Sequence, residues 1–233
     1  MQNYGQVDIL WLDGGWVAAP RQDIKIERIA GMARKAQPGL LMVDRTIHGK
    51  YENYQTPERT IPEGQLSYPW ESCIPLSKDW GWIPDATFKS ARTVLTLLTE
   101  VVAKGGNLLL GIGPTPEGVI QPEVMACLDS IGEWLSVNGT AVYNTRTTSC
   151  YRDGDTWFTA DKDGKTLYAI YTGRATGCIE WTMNIPLEGS EVIVLETGEK
   201  LEWRLSGDKV QVFLPRKLVR KNGMPAFSFR IKT

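Results

Sequence analysis

The stretch that decides the fold is Thr87-Phe88-Lys89-Ser90-Ala91-Arg92-Thr93-Val94-Leu95-Thr96-Leu97-Leu98-Thr99-Glu100-Val101-Val102-Ala103-Lys104, followed by Gly105-Gly106 and then Asn107-Leu108-Leu109-Leu110-Gly111-Ile112. Phe88, Ala91, Leu95, Leu98 and Val102 fall on one side of a 3.6-residue period, which predicts an amphipathic helix over 87–104. The paired glycines stop it, and the apolar run after them reads as a strand buried on both faces. A helix feeding such a strand implies a parallel sheet with crossover helices.

The pattern repeats toward the N-terminus. Val7 to Leu12 is a short apolar strand. Asp23 to Ala36 has helical spacing, with Ile26, Ile29, Ala30 and Ala33 together, and Pro38-Gly39 ends it. Leu40 to Val43 reads as the next strand. Beyond Ile112, Pro122 suits the first turn of a last helix that closes near Asn138-Gly139. Between the second and third strands lies a long irregular stretch, 46–84, rich in Pro, Gly, Tyr and Trp. A loop of that length inside a compact domain is functional or disordered, and its aromatic content argues for function.

From about Tyr151 the period changes to two. Leu201, Trp203 and Leu205 alternate with polar residues, as do Val210, Val212 and Leu214, and then Phe227, Phe229 and Ile231. Asp153-Gly154, Asp163-Gly164, Thr197-Gly198, Ser206-Gly207 and Asn222-Gly223 mark turns. Short strands with regular turn signals predict a small antiparallel sandwich. The expected fold is α/β plus all-β, with domains at 1–143 and 144–233.

The 233 residues allow one large domain or two ordinary ones. Hydrophobic residues make up 42% and charged residues 23%, an ordinary globular balance. A formal net charge of −1 gives no field for nucleic acid or an anionic membrane surface. No apolar run approaches the roughly 20 residues that span a bilayer. The opening Met1-Gln2-Asn3-Tyr4-Gly5 has no basic patch ahead of an apolar stretch, so it does not read as a signal peptide. Cys73, Cys127, Cys150 and Cys178 lack metal-type spacing and read as free, partly buried thiols. His48 is the one histidine, which excludes a histidine-rich metal centre built by this chain alone. It also leaves no convincing Ser-His-Asp set. Asn107 to Gly113 fits neither phosphate-binding glycine pattern.

The residues with chemical promise sit at strand ends and in the long loop. Asp13 follows the first strand, where α/β barrels place their chemistry, and Gly14-Gly15 leave room for a ligand. A plain turn-capping role fits Asp13 as well. Asp44-Arg45 follows the second strand, and Arg45 suits either a bound carboxylate or a structural ion pair. Among Glu52, Glu58, Glu63 and Glu71, Glu58 and Glu71 have proline or aromatic neighbours able to desolvate a carboxyl. Two carboxyls with separate roles in a tryptophan-rich cleft describe a glycosidase. The nine tryptophans serve sugar stacking or core packing equally well.

These segments together resemble the α-L-fucosidases of glycoside hydrolase family 29. Val7 to Trp16 resembles the family's nucleophile strand, and Val43-Asp44-Arg45 its next strand end. Trp70-Glu71-Ser72-Cys73 and Trp80-Gly81-Trp82 resemble its downstream loop. Lys104 to Pro114, with Gly118, is similar to its late-barrel signature. Ile131-Gly132-Glu133-Trp134-Leu135, Asn138-Gly139 and Ala141-Val142-Tyr143 are similar to its last barrel helix and exit. The resemblance covers about residues 5–145.

It implies a partial (β/α)8 TIM-type barrel followed by a β-sandwich. It also implies hydrolysis of terminal α-L-fucose from a fucosylated oligosaccharide or glycoconjugate, with retention and without a metal or other cofactor. Asp13 is the implied nucleophile, Trp11 lines the pocket, Arg45 contacts carboxylates or sugar, and Trp80 faces the sugar. Glu58 is the first choice for acid/base and Glu71 the second. The family carries its first half-barrel, with fucose-binding histidines, ahead of the nucleophile strand. The chain is therefore expected to be inactive alone or to need that segment. A secreted or periplasmic setting is the family expectation. Two alternatives stand beside it: a catalytically silent sugar-binding fragment, and a distant carbohydrate site on the sandwich using Trp157 or Trp181.

Overall fold

A computed structural model describes residue 3 and residues 5–14, 22–45, 49–221 and 223–230. Gly15, Trp16, His48, Asn222, Ile231 and the side chain of Asp44, all named above, lie outside what is described. The chain forms two compact units, 1–74 and 75–233.

In the first unit, β1 (Ile9–Leu12) and β2 (Leu41–Asp44) pair in parallel, with Ile9 opposite Leu41 and Trp11 opposite Val43. Helix α1 (Ile26–Ala36) makes the crossover. Its small Ala30 and Ala33 let it lie close on Leu40 and Met42, with Val7, Leu10, Leu12 and Ile26 completing the cluster. The Gln37 side chain accepts from the Val7 N–H at 2.6 Å, tying the end of α1 to the start of the sheet.

The stretch expected as one irregular loop contains regular pairing. Residues 55–59 run parallel to 69–73. Gln55 bridges Trp70 and Glu58 bridges Cys73. Four backbone bonds hold the register: Gln55 N–H to Pro69 O, Glu71 N–H to Gln55 O, Cys73 N–H to Pro57 O and Arg59 N–H to Cys73 O. Strand β3 (Glu71–Pro75) comes out of this pairing.

The second unit holds α2 (Ala91–Ala103), β4 (Asn107–Gly111) and α3 (Pro122–Asn138). Helix α2 starts four residues later than its apolar spacing predicts. The Ser90 side chain accepts from the Thr93 N–H and caps it there, and the Lys89 N–H donates to Leu76 O. A six-stranded antiparallel sheet follows: β5 (Arg152–Asp153), β6 (Thr156–Ala160), β7 (Thr166–Tyr171), β9 (Val192–Val194), β10 (Lys200–Leu201) and β13 (Ala226–Arg230). Strands β8 (Cys178–Trp181), β11 (Trp203–Ser206) and β12 (Lys209–Phe213) form a three-stranded sheet, and a short helix α4 (Arg216–Lys221) precedes β13.

Period two explains the layering. On β7, Leu167 and Ala169 face the core shared by the two sheets, whereas Tyr168 and Ile170 join the cluster built by α2 and α3. On β13, Phe227 and Phe229 face the first core and Ala226 the second. The six-stranded sheet is thus covered on both faces, by helices on one and by the smaller sheet on the other. Ala141, Val142, Ile170 and Ala226 share one buried cluster, so packing is continuous across residues 143 and 144. The alternation fails at Leu205, which is half exposed on β11, an edge strand of the smaller sheet.

Trp157 and Trp181 correct the idea of a sandwich sugar site. They are 3% and 1% exposed. Trp181 packs edge-on to Phe158 and stacks on Phe229, at 5.9 and 5.6 Å between ring centroids. Trp181 fills the core between the two sheets, whereas Trp157 is buried on the opposite face of its strand, stacked on Tyr151 with the Lys104 and Arg152 side chains over its ring. The four cysteines are free thiols, with Cys73 buried and the others half-buried.

Candidate active site

In-register β1 and β2 place the residues that follow them side by side. The Arg45 N–H donates to Leu12 O at 3.2 Å, so Asp13 and Arg45 leave the sheet together. Asp13 Oδ1 accepts from Arg45 Nη1 at 3.2 Å and from the Gly14 N–H at 2.9 Å. Gly14 is buried with φ of 131°, a conformation only glycine adopts readily. The same guanidinium donates through Nη2 to Glu58 Oε2. Arg45 therefore bridges two carboxylates, and its side chain is 16% exposed against 55% for Asp13 and 39% for Glu58. The planar fork of arginine suits this double role, which a lysine ammonium cannot copy.

Glu58 owes its place to the parallel pairing with β3. Its anchor to β2 is Asn53, whose N–H donates to Met42 O and whose Oδ1 accepts from the Met42 N–H and from Arg34 Nη2. Arg59 Nε lies 3.8 Å from Glu58 Oε1 and adds a second, looser cation.

The Arg45 guanidinium sits over the Trp11 ring, 5.0 Å from its centroid. Beneath lies a second polar group of side chains. Glu71 and Cys73 share one face of β3, while Ser72, on the other face, donates to Thr60 O at 2.6 Å. Burial pushes the Glu71 carboxyl above its usual range, with the Trp11 indole N–H pulling part of the way back. Burial also raises the Tyr54 phenol, and the Glu71 and Cys73 charges raise it further. The Cys73 thiol is pushed up to about 11, first by burial and then by the Glu71 charge, with Arg45 opposing. Trp11 Nε1 and Glu71 Oε1 are enclosed and complete no hydrogen bond of normal geometry.

Of the residues nominated from the sequence, Asp13, Arg45, Glu58, Glu71 and Trp11 lie together in the first unit. Glu63 is exposed and Glu52 half-buried, and neither joins them. Tyr54 and Cys73 were missed. Cys73 was signalled by its two-residue offset from Glu71 on one strand. Tyr54 carried no signal, because its place follows from the non-local pairing of 55–59.

Trp80 belongs to the second unit. Leu76 N–H donates to Gly111 O at 2.7 Å, and Lys89 Nζ donates to Pro75 O and Ser77 O. These bonds pin the loop carrying Trp80-Gly81-Trp82 against the end of β4. A Cβ built on Gly111 would lie 2.5 Å from the Trp80 ring, and one on Gly113 2.6 Å from the Gly81 backbone. Gly113 is therefore a backbone packing requirement of this loop, and Gly111 leaves room for the Trp80 ring.

A carboxylate in reach of solvent, a second carboxyl on the same arginine and a bounding indole make a site suited to acyl-type or glycosyl displacement by paired carboxyls. Comparison with known proteins narrows it. Plasma alpha-L-fucosidase of Pongo abelii is 33% identical over 185 residues, covering 75% of this chain and 39% of that protein. Tissue alpha-L-fucosidase of Bos taurus is 28% identical over 225 residues, covering 90% of this chain and 47% of that protein. The chain therefore spans less than half the length of these curated relatives. Among solved structures, alpha-L-fucosidase isoenzyme 1 from Paenibacillus thiaminolyticus superposes with a TM-score of 0.86 at 24% identity, covering 99% of this chain and 59% of that one. The alpha-fucosidase of Thermotoga maritima in complex with a mechanism-based inhibitor gives 0.80 at 25% identity, with 96% and 52% covered. A family model described as Alpha-L-fucosidase matches residues 1–140, and with well over half of its length so matched the chain belongs to the alpha-L-fucosidase family.

Proposed function

We propose that the site on the first unit performs the displacement step of a retaining exo-α-L-fucosidase, acting on terminal α-L-fucose of an oligosaccharide or glycoconjugate. Asp13 is the nucleophile. Its carboxylate attacks the anomeric carbon as the glycosidic C–O bond breaks, giving a glycosyl ester. Glu58 is the acid/base. It gives its proton to the departing oxygen, then takes one from the water that opens the ester.

The observation that carries this reading is the single Arg45 guanidinium bonded to both Asp13 and Glu58. One small cation holding both carboxyls supports the close separation that retention needs, about 5–5.5 Å. Solvent access favours Glu58 over Glu71 for the acid/base. Leaving group and water arrive from solvent, whereas Glu71 Oε1 is enclosed. Trp11 lines the sugar pocket, and the family resemblance assigns Trp80 to the apolar face of the sugar.

The parallel strands are read as the C-terminal half of a (β/α)8 barrel at 1–143, with the β-sandwich at 144–233. The portion of the relatives' length outside the match is taken to be needed for activity. The setting is taken as secreted or periplasmic.

The test is release of 4-nitrophenol from its α-L-fucoside by the chain, alone and joined to the complementary segment of a relative. Asp13→Gly should abolish turnover, and added azide should restore part of it as the inverted glycosyl azide. Turnover that survives Asp13→Gly undiminished would remove the nucleophile assignment. Unchanged affinity for fucose with no turnover in either form would instead favour a silent binding fragment.

A further inference from the structure

We propose that Glu71 is a positioning residue, whose carboxyl faces the Trp11 indole N–H and so holds the ring on which the Arg45 guanidinium rests. This deepens the reading above and rests on Asp13 and Glu58 doing the chemistry there. The geometry runs in one line of contacts. Trp11 Nε1 and Glu71 Oε1 are both enclosed and neither completes a bond of normal geometry, and the indole N–H acts on both the Glu71 carboxyl and the Tyr54 phenol. A buried donor and a buried acceptor left in this state are costly unless they serve one another. Arg45 lies over a face of the same indole, 5.0 Å from its centroid, and in turn holds Asp13 and Glu58. A tilt of the ring therefore moves both reacting carboxyls.

The groups around Glu71 sharpen the argument. Tyr54 and Cys73 face it, and Arg45, Glu58 and Asp13 act on Cys73 from above. Neither Tyr54 nor Cys73 offers a positive charge to offset an ionised Glu71. The indole N–H is then the group that stabilises the charged form, and the strength of that contact changes with the protonation state of Glu71. A half-buried carboxyl with one oxygen enclosed is poorly placed to deliver a proton to a leaving group in solvent. It can hold a ring at one angle.

The first readout needs no turnover. The chain is labelled with ¹⁵N at tryptophan and the Trp11 indole resonance is identified through Trp11→Phe. On raising the pH from acidic to neutral, that resonance should shift with a midpoint above the ordinary glutamate value. Glu71→Gln should remove the shift and keep the resonance near its acidic position. An indole resonance that stays flat in the native chain, or that titrates unchanged in Glu71→Gln, would overturn the proposal.

The second readout uses the activity-competent form. Glu71→Leu should lower kcat about 10²-fold, the scale expected when reacting groups are misplaced by about 1 Å. The loss should be equal for good and poor leaving groups and unaffected by azide, and Glu71→Gln should recover most of it. Azide rescue confined to good leaving groups would show Glu71 to be the acid/base instead. Absence of fucoside hydrolysis in every form would sink the reaction assignment and leave the indole titration standing as a separate result.

Discussion

Replacing Gly113 by alanine probes how tightly the Trp80 loop is held. The added methyl carbon would lie 2.6 Å from Gly81 C, 2.7 Å from Gly81 O and 2.8 Å from Trp82 N. Unbonded heavy atoms settle at about 3.5–4.0 Å, so the backbone must retreat by roughly 1 Å. It cannot retreat freely, because Leu76, Ser77 and Asp79 are bonded to Gly111, Lys89 and one another. Overpacking against a fixed neighbour costs about 1–3 kcal/mol. Gly111→Ala meets a different obstacle, the Trp80 ring at 2.5 and 2.6 Å, and a half-exposed ring can swing aside. Its stability loss should be below about 1 kcal/mol, with Trp80 displaced. Gly81→Ala is the control, since nothing lies within 4 Å of its added carbon, and it should stay within about 0.5 kcal/mol of the parent. Urea unfolding followed by far-ultraviolet circular dichroism gives the three midpoints, and tryptophan emission reports the ring. A Gly113→Ala midpoint equal to that of Gly81→Ala would refute the packing argument.

Two further predictions concern the rest of the fold. Gly132 lies mid-helix on the exposed side of α3 with nothing within 4 Å of an added carbon, so Gly132→Ala should stabilise by roughly 0.5–1 kcal/mol, read as a higher thermal midpoint. For Asp153, burial alone would raise the carboxyl, but the bonds from the Thr182 N–H, the Thr182 hydroxyl and the Met183 N–H outweigh it and hold it below the ordinary range. Its contribution is therefore fully present above the unfolded value, about pH 4, and is lost as pH falls through the lower folded value. Asp153→Asn should be less stable than the parent near neutrality, and the two unfolding curves should converge on acidification. Parallel curves throughout would show that Asp153 does not titrate against those donors.

How far the sequence discloses this molecule depends on how local each signal is. Helix α2, its Gly105-Gly106 stop and the position of β4 are legible, because amphipathic period and backbone breakers act within a few residues, but the expected burial of β4 on both faces fails, with Leu109 37% exposed. Turns at Asp163-Gly164 and Ser206-Gly207 are legible for the same reason: both glycines sit at φ near 70°, where other residues strain. The start of α2 is not, since the Ser90 cap overrides an apolar stripe that continues back to Phe88. The pairing of 55–59 with 69–73 is not legible either. It joins two proline-containing segments across a nine-residue excursion, and neither has alternating hydrophobicity. The burial of Trp157 and Trp181 is decided by which sheet face each strand turns inward, a register choice that tryptophan content cannot report.

The candidate site divides along the same line. Asp13 and Arg45 are legible as strand-end residues, because two parallel strands in register must release their next residues side by side. By their neighbours alone Glu58 and Glu71 compete on equal terms, and the family resemblance ranks Glu58 first. The structure separates them through backbone register. Glu58 lies on the outer path, bonded to Arg45 and in reach of water, and Glu71 two residues before Cys73 on β3, against the indole. The same parallel bonds that hide 55–59 from pattern reading thus fix the difference between the two carboxyls. Changing that register would exchange their surroundings without altering either residue.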